Sequence, residues 1–130
     1  MLKKTITYTD YNGNERTENF YFNLSKSEIM KMEMSVNGGL AESIQRIVDA
    51  QDAPSIINVF EELVLKAYGV KSADGKRFEK SEQLTREFAQ TEAYDQLFME
   101  LATNADAAAE FVNKVIPADM AKQLPNTVSN

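Results

Sequence analysis

The stretch Thr7 to Glu28, "TYTDYNGNERTENFYFNLSKSE", combines two structural patterns, and its reading decides the fold. Asp10-Tyr11-Asn12-Gly13-Asn14 is turn chemistry, because Asn-Gly accepts the positive φ angles of tight hairpin turns. On either side the chain alternates as strands do. Residues 2–9, with Leu2, Ile6 and Tyr8 among threonines and lysines, form the first arm. Glu15 to Phe22 returns as the second, with Phe20 and Phe22 on one face and Tyr21 on the other. The end of the stretch changes period. Ser25-x-x-Glu28 is a capping box, in which the serine oxygen takes an early helix N–H and the glutamate reaches back, with Leu24 as a hydrophobic staple. A two-stranded hairpin is marginal alone, so this one must lie on helices or on another chain.

Outward from this stretch, the chain reads as helix. The first helix carries Ile29, Met30, Met32 and Met34 and stops at Asn37-Gly38-Gly39. A second spans about 40–51 with Leu40, Ile44, Ile47 and Val48 at helical spacing. Asp52-Ala53-Pro54 opens a third, apolar at Ile56, Ile57, Val59, Phe60, Leu63, Val64, Ala67 and Tyr68 and closed by Gly69. This third helix is expected to be the most buried element. Val70 to Glu79 reads as a loop built round Ala73-Asp74-Gly75. Ser81 caps a helix with Leu84 and Phe88, and Thr91 or its neighbour opens one with Tyr94, Leu97, Phe98 and Leu101. After Thr103-Asn104-Ala105-Asp106, a last helix carries Ala105, Ala108, Ala109, Val112, Val115 and Ile116 and ends at Pro117. The expected class is α+β, mainly α-helical: one N-terminal antiparallel hairpin (1–23), then five or six helices (25–116). Residues 1–120 form one domain and 121–130 a flexible tail. Three or more strands in a central sheet would count decisively against this one-hairpin arrangement.

Composition mostly excludes functions. The 130 residues contain no cysteine and no histidine, which removes disulfides, thiolate metal sites and the usual general base at neutral pH. No apolar run approaches the ~18 residues of a membrane span, and Met1-Leu2-Lys3-Lys4-Thr5 lacks a signal peptide's apolar core. A net charge of −6 opposes binding to phosphate backbones, and the basic residues Lys71, Lys76, Arg77 and Lys80 read as a solvated turn. Glu61/Glu62 and Asp49/Asp52 are carboxylate neighbours in a chain with 20 acidic residues and need not converge. Gly38-Gly39 lacks the preceding strand of a phosphate loop, and Asp74-x-Lys76 lacks the alternating oxygen ligands of a calcium loop. No catalytic, metal or cofactor-binding residue is therefore expected, nor any membrane or nucleic-acid partner.

What remains is binding. Methionine recurs on adaptable surfaces, and Met30 and Met34 share one helical face. With Tyr94 and Phe98 they are the candidate residues for binding an apolar partner, against the plainer reading as core. Phe20, Tyr21 and Phe22 put aromatic surface on both faces of the hairpin and are the candidate self-association residues.

Three stretches carry a family resemblance: "TITYTDYNGNERTENFYFNLSKSEIMKMEMS", "VFEELVLKAYGVKSADGKRFEKSE" and "FAQTEAYDQLFMELATNADAAAEFVNKVIP". In this order, from about Thr5 to Met120, they resemble the tail assembly chaperones of long-tailed (siphovirus-type) phages of Gram-positive bacteria. The resemblance carries no catalytic motif and assigns no individual residue. It implies a chaperone that binds the tape measure protein, keeps it soluble, and brings major tail tube protein to the growing tube. It further implies action in the host bacterial cytoplasm, absence from the mature virion, and in many members a longer frameshifted form. A homo-oligomer whose hairpin touches the next subunit is expected, against the rival that the hairpin only lids its own helices. The alternative functions are a structural connector or tail-completion protein retained in the virion, and an acidic mimic of nucleic acid.

Overall fold

The structure is a computed structural model, and it describes residues 1–34, 49–50 and 53–116. The expected Asn37-Gly38-Gly39 stop, the helix over 40–51 and the tail over 121–130 lie outside those residues, apart from Asp49 and Ala50. Strand β1 (Leu2–Thr9) pairs antiparallel with β2 (Glu15–Phe22) along its whole length, from Leu2 opposite Phe22 to Thr9 opposite Glu15. Gly13 takes φ +84° in the turn between them. The Asp10 carboxylate organises that turn, accepting from the Asn12 and Asn14 amides at 2.9 Å each and from Arg16 Nε at 2.6 Å.

The hairpin is not the sole β element, contrary to the sequence expectation. Helix α1 (Lys26–Met34) is followed by α2 (Ala53–Ala67). From there the chain runs directly into β3 (Tyr68–Lys71) and, after a turn, β4 (Phe78–Glu79), giving a four-stranded sheet in the order β1-β2-β3-β4. β3 meets β2 only at Tyr21 with Gly69 and at Phe22 with Tyr68, then turns to pair with β4. So Gly69 does not merely close a helix. A Cβ there would lie 2.5 Å from Phe78 Cε2 and 2.9 Å from the Glu79 carbonyl oxygen, so only glycine allows β4 and its phenylalanine to lie this close. The turn over 72–77 is built on the buried Ser72, whose hydroxyl donates to Asp74 and accepts from the Arg77 amide, with Gly75 at φ +75°.

Helices α3 (Glu82–Ala89), α4 (Glu92–Thr103) and α5 (Ala105–Val115) complete the described chain. It is thus α+β and mainly helical, as the sequence predicts. Each N-cap follows local chemistry. Ser81 accepts from the Leu84 amide, Thr91 from Tyr94 and Asn104 from Ala107. The capping box also forms, with the Ser25 amide donating to Glu28 Oε1 at 2.9 Å and the Glu28 amide to Ser25 Oγ at 3.2 Å.

One face of the sheet packs on the helices, α4 and α5 lying against β1 and α3 against β3. Phe22 is fully buried there, 5.7 Å from Phe88 and 5.4 Å from Phe111 between ring centroids. Phe88 stacks on Tyr68 at 4.2 Å and 8°, and also meets Phe20 and Tyr94. This aromatic cluster is the centre of the core. The helix Ala53–Ala67 is not: among its described side chains the buried ones, Leu63, Val64 and Ala67, sit in its last two turns, and Ile57 is exposed. Leu97, Leu101, Ala108 and Val115 are buried as their spacing predicts, joined by Ala93 and by Phe111 on the stripe of α5.

Candidate interaction surfaces

The two faces of the sheet differ by one residue of register. The inner face presents Ile6, Tyr8, Phe20 and Phe22. The outer face pairs Thr5 with Asn19 at 2.7 Å and Thr7 with Thr17 at 2.9 Å through side-chain hydrogen bonds. The hairpin does lie on its own helices. Lys4 Nζ reaches Glu100 at 3.2 Å, and Gln96 donates to the Thr7 carbonyl at 3.0 Å. Of the three candidate self-association residues, Phe22 is wholly inside and Phe20 is half-buried against Phe88, because both alternate onto the packed face. Tyr21 alone faces outward, beneath the Lys71 ammonium 5.0 Å from its ring centroid.

Among the described residues β1 is an edge of the sheet over all eight of its residues. Among the described residues β2 has a strand neighbour on its other side only at Tyr21 and Phe22, so its stretch Glu15–Phe20 forms a second open edge there. Where β2 and β3 part, a shallow cleft of about 180 Å³ opens between Asn19–Tyr21 and Tyr68–Lys71. Such edges offer unpaired main-chain groups to an added strand.

The candidate client-binding residues fall on two helices. Met30 and Met34 on α1 are 59% and 81% exposed, four residues apart, on a helix whose one buried side chain is Ile29. Tyr94 and Phe98 on α4 are half-buried with rings 6.0 Å apart, and Tyr94 also sits edge-on to Phe88. Burial pushes the Tyr94 phenol up to about 12, and the nearby Glu61 carboxylate, 3.5 Å from its hydroxyl, adds to the effect. Tyr94 and Phe98 are thus part core and part surface, whereas the methionine pair is surface. Met99, off the apolar stripe of its helix, is likewise exposed, at 52%.

The basic residues around the third and fourth strands are largely engaged within the fold. Arg77 pairs with Glu79 at 3.1 Å, Lys71 covers Tyr21, and Lys80 is bound on three sides. Among the described residues no three carboxylates gather as metal ligands would, and no helix is long and apolar enough to cross a membrane. The arrangement offers surfaces for binding: an exposed methionine pair and two strand edges.

Comparison with curated proteins and with solved structures gives no match. The family model for phage tail assembly chaperones matches residues 1–128, nearly the whole length, and the chain therefore belongs to the phage tail assembly chaperone family.

Proposed function

We propose that this chaperone binds the tape measure protein of a siphovirus-type phage of a Gram-positive host and keeps its apolar helical surface from aggregating while tail tube subunits are brought to it. The observation that carries the reading is the Met30/Met34 pair. Two flexible thioether side chains stand open to solvent four residues apart, on a helix that buries only Ile29. Methionine adapts its shape to differing apolar partners, which suits a chaperone that must hold many turns of one long client. The acidic net charge of −6 keeps such a complex soluble. The chain acts by binding, without catalysis, in the host cytoplasm, and leaves before the virion is complete.

Co-expression with the tape measure protein followed by pull-down tests this directly. The wild type should retain the client in the soluble fraction, and Met30→Ser with Met34→Ser should lose it while the fold stays intact. Equal capture by the double variant would remove the methionine face from the mechanism. Failure of the wild type to capture the client would remove the reading itself.

The chaperone works as a homo-oligomer that repeats the grip along the client. The open edges of β1 and β2 support strand contact between copies, and Tyr21 is the outward aromatic residue beside the second edge. Tyr21→Asp should lower the mass measured by light scattering. A wild type that is monomeric at high concentration, or an oligomer that Tyr21→Asp leaves unchanged, would show that the hairpin only lids its own helices.

A further inference from the structure

Lys80 follows β4 directly, and its ammonium ties the stretch from Asn23 to Glu28 to the end of α2, two regions distant from each other in the chain. It donates to the Asn23 carbonyl at 2.8 Å, to the Lys66 carbonyl at 2.7 Å and to Glu28 Oε2 at 2.7 Å. An ammonium has three N–H donors, and here all three have acceptors. The acceptors belong to the link between β2 and α1, the last turn of α2, and the first turn of α1. The underside of the same charge lies 5.7 Å from the Phe78 ring centroid.

The surroundings of α1 make this arrangement consequential. The link before it is fixed to the core: the Asn23 amide donates to the Ala67 carbonyl at 2.8 Å and the Leu24 amide to the Val115 carbonyl at 3.0 Å. Leu24 itself is buried. Beyond Ser25, two apolar side chains of α1, Ile29 and Met32, reach the core. Ile29 is the buried side chain of α1, Met32 is half-buried, and Met30, Lys31 and Met34 are exposed. Glu28 joins both holds, since its Oε1 closes the capping box and its Oε2 takes the ammonium.

We propose that Lys80 is a latch: it sets the direction in which α1 leaves the core, and its release lets α1 swing about Ser25 while the rest of the fold stays closed. The β3–β4 extension acquires a purpose on this account. Its close packing at Gly69 and Phe78 fixes the point from which Lys80 reaches α1. Lys80 is therefore a positioning residue. The latch controls presentation of the Met30/Met34 face, a consequence that rests on the function proposed above, whereas the latch itself is tested without the client.

Amide hydrogen exchange on the full chain reads it out. In Lys80→Met, amides over 29–34 should exchange at least about tenfold faster, while those over 93–101 and 108–115 stay within about twofold of wild type. Glu28→Gln, which keeps two of the three acceptors intact, should give the same regional pattern at smaller amplitude, and it serves alone if Lys80→Met fails to fold. Unchanged exchange over 29–34 would overturn the latch, as would a loss of protection shared equally by α1, α4 and α5. The client pull-down fails or succeeds independently of either result.

Discussion

Helix α1 and the α4–α5 pair are held by different physics. Over 12 and 11 residues, α4 and α5 bury Ala93, Leu97 and Leu101, then Ala108, Phe111 and Val115, a side chain at nearly every turn. Over its nine residues α1 buries Ile29 and packs Met32 against the core, with a capping box and one ammonium among its polar holds. Burial is non-directional and scales with area, so it fixes the α4–α5 pair strongly without dictating fine orientation. Hydrogen bonds to a charge contribute less net stability but demand geometry. A helix held in part by the second kind can be placed accurately and released cheaply, which is what a segment presenting an adaptable binding face requires.

The largest expected effect is on the burial side of the comparison. Phe88→Ala removes the ring that stacks on Tyr68 and meets Phe20, Phe22 and Tyr94, and should cost about 3–5 kcal/mol in equilibrium denaturation. A loss below about 1 kcal/mol would show that the cluster repacks and is not the centre of the core. Gly69→Ala comes next, at about 1–3 kcal/mol, because the new methyl meets Phe78 and the β4 backbone. Since β4 delivers Lys80, this substitution should also loosen α1, linking the two regions. If α1 keeps its exchange protection while stability falls, the two regions are independent.

The β1–β2 hairpin and the caps could be read from sequence because their signals are local. Asn12-Gly13 states its own turn geometry, and Ser25, Ser81, Thr91 and Asn104 each accept from the amide three residues ahead. β3 and β4 could not. Tyr68 continues the apolar period of α2, and it becomes strand because Phe22 supplies a cross-strand partner. That pairing spans more than forty residues and leaves no mark within any short window. A two-residue strand such as β4 has no periodicity to detect. Phe111, by contrast, is legible at helical spacing, three after Ala108 and four before Val115, but the more numerous alanines mask it. The binding surfaces were half legible. Alternation put Phe20 and Phe22 on one face, yet only the packing shows that this is the inner one and leaves Tyr21 outside. Helical spacing paired Met30 with Met34, and only burial distinguishes them from the core pattern around Ile29. The role of Lys80 has no local signature, since Lys80, the 23–28 stretch and Lys66 come together only in the fold.

On the polar side the effects are smaller and local. Ser25→Ala removes one acceptor of the capping box and should cost about 1 kcal/mol. Its effect should concentrate in faster exchange over 29–34, with α4 and α5 almost unchanged. Equal loosening everywhere would mean that α1 folds and unfolds with the core, erasing the contrast.

The smallest effects are in pH, and they separate the two regions by sign. Tyr94 on α4 has its phenol raised to about 12 by burial and by Glu61. Between the ordinary value of 10 and that level the unfolded chain loses a proton the folded chain keeps, so the α4 region weakens as pH rises. Glu28 on α1 behaves in reverse. Burial alone would raise its carboxyl, but the hydrogen bonds from the Lys80 ammonium and the Ser25 amide outweigh it and hold the group below its ordinary 4.5. As pH falls from that value, the unfolded chain takes up the proton first. The stabilisation from Glu28 is therefore complete above 4.5 and lost as pH drops through the folded value. The group is partly solvated, so screening keeps the effect modest. Methionine methyl NMR follows it directly: the Met30 and Met34 signals should shift on acidification before the ring-shifted signals of the aromatic core do. Glu28→Gln should abolish that early step. Simultaneous movement of all signals, or an early step that survives Glu28→Gln, would show that acid acts on the whole fold and that α1 is not separately held.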